Sequence, residues 1–238
     1  MSSKNELCQK FTEKAELVSA QVTTIASEAE ALEYTINLCD KKEACQLLIS
    51  GCEADLSDKA EALCDAKQTK VIAAPGLKKA LYKDLAAKAE KAGFECIDSG
   101  MRDHLAGIDI GFTYAEYGIA DTGTLMVDCP GEELRLATMV SEYHVCVLPK
   151  SKIKANTYEV EKMMLTRMKK APNYMAYITG PSRTADIERV LALGVHGPLE
   201  LHILLLEDQY NAESQRSQRI PRGTARVPGQ RFPPHHTG

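Results

Sequence analysis

Short apolar runs of strand type alternate with amphipathic helical segments along most of the chain. Helices are predicted at 4–17, 28–41, 77–92, 132–140, 157–170 and 184–193, with another beginning at Ser57. Strands are predicted at 20–26, 44–50, 70–75, 94–99, 144–149, 173–180 and 199–207. Neighbouring parallel strands need a long crossover connection, which is usually a helix. The alternation therefore predicts an α/β fold with a mostly parallel sheet flanked by helices.

The N-terminal segment has two interpretations. A seven-residue recurrence from Phe11 to Cys39 suits one continuous helix. Against it, residues 22–25 are four consecutive β-branched residues, which favour a strand. Ser27 and Glu30 then have the spacing of a capping box, which marks a helix start. We therefore predict helix, strand and helix.

Residues 107–129 break the alternation. They contain two apolar β-type runs with no room for a crossover helix between them. Asp121, Thr122 and Gly123 are typical turn residues, so this region is predicted to contain a local antiparallel hairpin.

Composition and charge set the class of protein. The 238 residues carry a formal net charge of −4, but the segment from Asn211 carries +4, leaving −8 for the rest. An acidic body argues against a nucleic-acid-binding core. No stretch approaches the ~18 apolar residues that span a bilayer, and no apolar signal region opens the chain, so we expect a cytoplasmic protein. We assign 1–208 to one α/β domain and 209–238 to a basic, Pro/Gly-rich, flexible tail.

Eight cysteines are present, of which Cys39, Cys45, Cys52 and Cys64 lie close together in sequence. Their intervals match neither zinc nor ferredoxin spacing, so we expect no metal or cofactor in this chain. We favour the alternative to a metal or iron–sulfur site, namely that the cysteines are reduced thiols that act as small hydrophobic side chains.

Two polar constellations are candidate sites. The first follows the strand at 173–180 and contains Gly180, Ser182, Arg183, Thr184, Asp186, Gly194, His196 and Gly197. A helix start at the carboxyl end of a parallel strand would suit a small anion, with Arg183 as a fork-shaped donor. The same residues also suit a capped helix start without a ligand, because Ser and Thr satisfy the free amides.

The second constellation is the turn Thr122, Gly123 and Thr124, flanked by Glu116 and Asp121. Either carboxylate can serve as a base or a nucleophile, although a turn role is the default for Asp121. Arg135, at the start of the next helix, and His144, at the start of the following strand, could approach this turn but need not. Glu116, Asp121 and His196 are therefore the catalytic candidates, but no known nucleophile, phosphate-binding or metal motif completes a mechanism.

The stretches "AEYGIADTGTLMV", "HVCVLPKSKI" and "ITGPSRTADIERVLALGVHGPLELHILLLED" closely resemble the lactate-utilization protein C family, or LUD domain family, over roughly residues 1–208. The resemblance implies a NagB/RpiA/CoA-transferase-like α/β fold, which 5-formyltetrahydrofolate cyclo-ligase shares. It also implies a role in oxidising L-lactate to pyruvate with partner subunits that carry iron–sulfur clusters. The basic tail lies outside the family pattern.

Three functions remain open from the sequence. The first is a non-redox subunit of an iron–sulfur lactate-oxidising system, with a cleft for a small anion or nucleotide-like ligand. The second is a stand-alone enzyme acting on an acyl-CoA, sugar phosphate or folate-type substrate, which rests on fold analogy. The third is a scaffold without a ligand. The oligomeric state and the identity of the ligand are not determined by the sequence.

Overall fold

The computed structural model describes residues 3–43, 62, 67, 69–104, 107–169, 171, 174–187, 190–193 and 197–208; for 183–187 and 190–193 it describes the backbone. The five helices of this part of the chain are α1 (Lys4–Leu17), α2 (Glu28–Lys41), α3 (Lys79–Lys91), α4 (Glu132–Met139) and α5 (Glu161–Met168). The predicted strand at 44–50, the helix from Ser57 and the tail at 209–238 lie outside the described residues.

A six-stranded parallel sheet forms the centre of the fold, in the order β1-β12-β7-β4-β2-β3. Its strands are β1 (Gln21–Ile25), β2 (Val71–Ala73), β3 (Glu95–Ile97), β4 (Ile108–Tyr114), β7 (Ser141–Pro149) and β12 (Glu200–Leu206). The central strands are long and apolar because both of their sides are covered, as is usual for a parallel sheet. The prediction of a mostly parallel α/β fold is confirmed.

Local sequence signals produce the N-terminal layout. Ser3 and Glu6 form a complete capping box at the start of α1. The Ser27 hydroxyl accepts the Glu30 backbone N–H at 3.2 Å at the start of α2. Strand β1 lies between these helices and pairs with β12 along its whole length. The choice of helix, strand and helix over one long helix is therefore confirmed.

A second, four-stranded mixed sheet has the order β8-β5-β6-β9, built from β5 (Tyr117–Ile119), β6 (Thr124–Asp128), β8 (Ile153–Lys154) and β9 (Met175–Ile178). Strands β5 and β6 form the predicted antiparallel hairpin. The first apolar run of the 107–129 region is instead the parallel strand β4. The predicted strand at 173–180 exists as β9, but it pairs antiparallel with β6 and so does not extend the parallel sheet.

Two helix predictions need correction. The predicted helix at 184–193 is an antiparallel hairpin of β10 (Arg183–Ile187) and β11 (Val190–Leu193), with an irregular register. Short apolar runs suit a strand as well as a helix, and the polar residues that suggested a cap are equally common at turns. The predicted helix at 157–170 is divided into a 3₁₀ turn (Thr157–Val160) and α5.

The core lies on both sides of the parallel sheet. One cluster joins α1 and the second sheet to the parallel sheet, with Phe11, Leu125 and Leu148 fully buried. The other packs α2 and α3 against the opposite side through residues such as Leu32 and Leu85. No helix in the described part of the chain is long and apolar enough to cross a membrane.

Candidate functional site

The turn Thr122–Gly123–Thr124 is packed against helix α1. Gly123 has φ +65°, and a Cβ at this position would lie 2.3 Å from the Ala15 backbone nitrogen. Lys10 of the same helix donates to the Asp121 carboxylate at 2.5 Å, and both side chains are about half exposed. The turn is thus held by a close backbone approach, and Asp121 is engaged in a surface ion pair.

The two constellations meet through threonine hydroxyls. Thr124 Oγ1 lies 2.7 Å from Thr122 Oγ1 and 2.8 Å from Thr179 Oγ1, at the end of β9. The next residue, Gly180, has φ +77°, and a Cβ there would lie 2.4 Å from the Val18 carbonyl oxygen. The turn and the start of the first constellation are therefore close together, with Gly123 against Ala15 of α1 and Gly180 against Val18, the C-cap of this helix.

The remaining residues of the first constellation follow this contact. The Ser182 N–H donates to the Pro198 carbonyl at 2.9 Å, and a Cβ on Gly197 would lie 3.1 Å from Ser182 Cβ. Arg183, Thr184 and Asp186 belong to strand β10. We predicted a helix N-terminus here, at the carboxyl end of a parallel strand, and anion binding was expected on that basis. This prediction is wrong, because residues 183–187 form a strand and β9 is antiparallel to β6. Gly194 and His196 lie outside the described residues.

Glu116 lines a cleft of 590 Å³ on the second sheet. The cleft is bounded by Glu116, Asp128, Glu159, Lys162, Met163, Thr166, Arg167 and Met175. The Glu116 side chain is 45% exposed, and its carboxylate pairs with Lys152 at 3.3 Å. This volume is typical of small-molecule sites. Of the two catalytic candidates that the structure describes, Glu116 and Asp121, Glu116 lies on the wall of this cleft.

Two cations contribute to the wall of this cleft from helix α5. Arg167 donates through Nε to Asp128 Oδ2 at 2.7 Å, and this hydrogen bond raises the pKa of the guanidinium. Lys162 is exposed and has no ion-pair partner among the described residues. Met163 and Met175 supply the apolar surface. The wall thus combines two cationic side chains, the carboxylates of Glu116, Asp128 and Glu159, and the apolar surface of two methionines.

A buried charge cluster was missed by the sequence analysis. Lys42 follows helix α2 and contacts Asp109 at 2.8 Å and also Glu142, while Lys67 lies 2.8 Å from the other Asp109 oxygen. All four side chains are at most 4% exposed. Burial favours the neutral form of Asp109, but Lys42, Lys67 and the Val71 N–H outweigh it and lower its pKa. These residues come from distant segments, so no spacing in the sequence indicates the cluster.

His144 is also buried and lies away from the cleft lining. Its Nε2 is 2.8 Å from Thr113 Oγ1, and burial lowers its pKa to about 4. The neutral imidazole therefore belongs to the core beside β4. Arg135 pairs with Glu132 at 3.4 Å and lies over the Tyr174 ring. Neither residue is among those that line the cleft around Glu116.

Five cysteines are described, and all are free thiols: Cys8, Cys39, Cys96, Cys129 and Cys146. Burial raises the pKa of Cys39 and Cys146 to about 12 and that of Cys96 and Cys129 to about 11. These four groups are therefore thiols at neutral pH. Among the described residues, no group of three or more His, Cys, Asp or Glu has a metal-binding arrangement. Cys45, Cys52 and Cys64 lie outside them.

Known proteins resemble this chain in sequence and in fold. It is 27% identical over 213 residues to the uncharacterized protein YkgG of Escherichia coli strain K12, covering 87% of this chain and 82% of that protein. It is 31% identical over 104 residues to lactate utilization protein C of Halalkalibacterium halodurans, covering 42% and 45%. An uncharacterized protein of Neisseria meningitidis serogroup B is 41% identical over 113 residues, covering 46% and 47%. The chain thus spans about half the length of the last two relatives.

A solved structure supports the fold. The crystal structure of a DUF162 family protein from Deinococcus radiodurans matches with a TM-score of 0.50 and 16% identity, covering 87% of this chain and 99% of that one. The family model of the LUD domain matches residues 8–206, which include both sheets and both constellations. The chain therefore belongs to the LUD domain family.

Proposed function

We propose that this protein acts in lactate utilization, as a non-redox subunit of a system that oxidises L-lactate to pyruvate. In this proposal it binds a small anionic or nucleotide-like ligand in the cleft on the second sheet, and partner subunits carry the iron–sulfur clusters. Relatives named lactate utilization protein C support the metabolic role. The observation that carries the ligand proposal is the cleft itself, whose wall combines Lys162 and Arg167 with the methionines Met163 and Met175.

The placement of electron transfer in partner subunits is supported by the cysteines. Iron–sulfur clusters are held by cysteine thiolates. The four described cysteines with raised pKa lie in different elements: α2, β3, the segment after β6, and β7. These four dispersed, protonated thiols suit a core better than a cluster. In this proposal, lactate oxidation depends on other chains that hold the clusters.

The redox part of the proposal is tested by turnover. The purified chain, supplied with L-lactate and a dye acceptor, should show no lactate oxidation. Activity should appear when iron–sulfur subunits of the same lactate-utilizing system are added. Turnover of lactate by the pure chain alone would contradict the proposal, as would full activity of the iron–sulfur subunits without this chain.

The ligand part is tested by thermal shift with L-lactate, pyruvate, adenine and nicotinamide nucleotides, and coenzyme A. A ligand at ~100 times its Kd adds about 2.7 kcal/mol to the stability of the folded state. For a domain of this size we expect a rise in melting temperature of about 5–10 °C. Lys162→Ala should remove the rise, whereas Lys14→Ala, an exposed lysine on α1, should keep it. A ligand shift that Lys162→Ala leaves intact would exclude this cleft.

A stand-alone enzyme is the second candidate, because Glu116 is accessible on the cleft wall. The Glu116 carboxylate is about half exposed. It is therefore accessible to a substrate, which a carboxylate buried in a structural hydrogen-bond network would not be. If Glu116 attacks an acyl-CoA, Glu116→Gln should abolish acyl transfer while its melting temperature stays within about 1 °C of the parent. Glu159 is another carboxylate of the same wall. The matched control is therefore Glu159→Gln, which should retain acyl transfer.

A further inference from the structure

Helix α5 presents two different sides. Lys162, Met163, Thr166 and Arg167 line the cleft. Glu161, Leu165 and Lys169 follow one another at intervals of four, so they share the other side of the helix, together with Met168. We call these four residues the α5 stripe. Its surface is separate from the proposed ligand site, so the inference drawn from it does not depend on that proposal.

The α5 stripe contains two large apolar side chains that are exposed to solvent. Leu165 is 53% exposed and Met168 is 62% exposed, and no residue of α5 is fully buried. Tyr158, in the 3₁₀ turn directly before the helix, is 84% exposed. Grouped apolar residues of this kind mark protein interaction surfaces more often than isolated ones do.

The order of charges along the stripe indicates what it contacts. Glu161 is the first residue of the helix and Lys169 is its C-terminal cap, with Leu165 midway between them. When two such helices run antiparallel, Glu161 of each copy lies opposite Lys169 of the other, and Leu165 lies at the two-fold axis. The helix dipoles are then also oppositely directed. The charges of one stripe are therefore complementary to those of a second, antiparallel copy of the same stripe.

We propose that the α5 stripe is the interface of a symmetric dimer, in which α5 packs antiparallel against α5 of a second copy of this chain. The apolar centre supplies the burial and the two Glu161–Lys169 pairs fix the antiparallel orientation. An interface built on an eight-residue helix is small, so the dimer should be weak and dependent on protein concentration.

Sedimentation equilibrium on the full chain tests this interface through charge exchange. Glu161→Lys puts two lysines opposite each other at both ends, and Lys169→Glu does the same with two glutamates. Each single variant should weaken dimerisation at least about tenfold. The double variant Glu161→Lys/Lys169→Glu restores opposite charges and should recover the parent affinity. An equimolar mixture of the two single variants should form a heterodimer for the same reason.

Two further variants complete the experiment. Leu165→Lys should make the protein monomeric, because it places two charges at the two-fold axis. Glu90→Lys, an exposed charge reversal on α3, should leave the affinity unchanged. Melting temperatures of all variants establish that they are folded. A parent protein that stays monomeric at every concentration would overturn the proposal, and so would a dimer that none of the stripe variants affects.

Discussion

At the scale of single residues, His144 should make stability depend on pH. Burial lowers its pKa to about 4, whereas a histidine in an unfolded chain titrates near 6.5. Between these values the unfolded chain takes up a proton that the folded protein excludes. The stability contributed by neutral His144 is therefore complete above pH 6.5 and is lost as pH falls through that window. His202, whose pKa burial also lowers, acts in the same direction.

We therefore expect the free energy of unfolding to fall by about 2 kcal/mol between pH 7.5 and pH 5 on account of His144. Urea unfolding at a series of pH values measures this slope. His144→Gln should flatten it whatever its effect on stability at pH 7.5. Leu17→Ala, at an exposed residue that does not titrate, serves as the control and should leave the slope unchanged. An equal slope in the parent and in His144→Gln would contradict the assignment.

The buried charge cluster leads to a second prediction at this scale. Asp109 is the carboxylate that both Lys42 and Lys67 contact. Asp109→Asn leaves two buried ammonium groups without this counter-charge, so we expect a loss of about 3–5 kcal/mol in unfolding experiments. Asp121→Asn breaks the exposed pair with Lys10 and should cost less than about 1 kcal/mol. Similar losses in both variants would mean that Asp109 is not the centre of a buried network.

At the scale of elements, helix α1 is held by two turns that are far apart in sequence. Gly123 and Gly180 approach its backbone so closely that a side chain does not fit. Both also have positive φ, which most residues adopt only with strain. The sequence analysis placed these glycines in a ligand cleft, and the structure gives them a packing reason that needs no ligand.

Gly123→Ala and Gly180→Ala should each destabilise the protein by about 2–5 kcal/mol, from strain at positive φ together with the clash against α1. Gly93→Ala isolates the first of these effects, because Gly93 has φ +81° but nothing within 4 Å of its Cβ position. It should cost only about 1 kcal/mol. Chemical denaturation of the three variants provides the comparison. Equal losses in all three would show that the contact with α1 contributes little.

At the scale of the whole molecule, strand β12 completes the centre of the sheet. It lies between β1 and β7, so the parallel sheet closes only when residues 200–206 pair with both of these strands. Ile203, Leu204 and Leu205 are at most 2% exposed and contribute to the core on both sides of the sheet.

A chain that ends at Pro198 should therefore lack a cooperative unfolding transition. A chain that ends at Asp208 retains β12 and the Lys150–Glu207 ion pair at its end, and should unfold cooperatively. Circular dichroism during heating distinguishes the two. A cooperative transition in the shorter chain would mean that β1 and β7 form a stable sheet without β12.

Features that depend on neighbouring residues were predictable from the sequence. Capping at Ser27, the β-branched run at 22–25 and the turn at 121–123 are local signals, and they correctly predicted α2, β1 and the β5–β6 hairpin. The alternation of apolar runs correctly predicted the parallel sheet because each crossover helix must be long enough to return the chain. The family resemblance also depends on local stretches, and the family model confirmed it.

Features in which distant segments compete or combine depend on long-range packing. The segment 183–193 forms a hairpin although its polar residues equally suit a capped helix, because short apolar runs take the structure that their surroundings provide. Lys42 and Asp109 are ordinary charges in the sequence and become a buried pair only when α2 and β4 meet. In the sequence, Glu116 is a carboxylate between two tyrosines. It becomes part of a cleft wall because α5 packs beside it in the fold. Each of these outcomes depends on long-range packing, which local patterns do not encode.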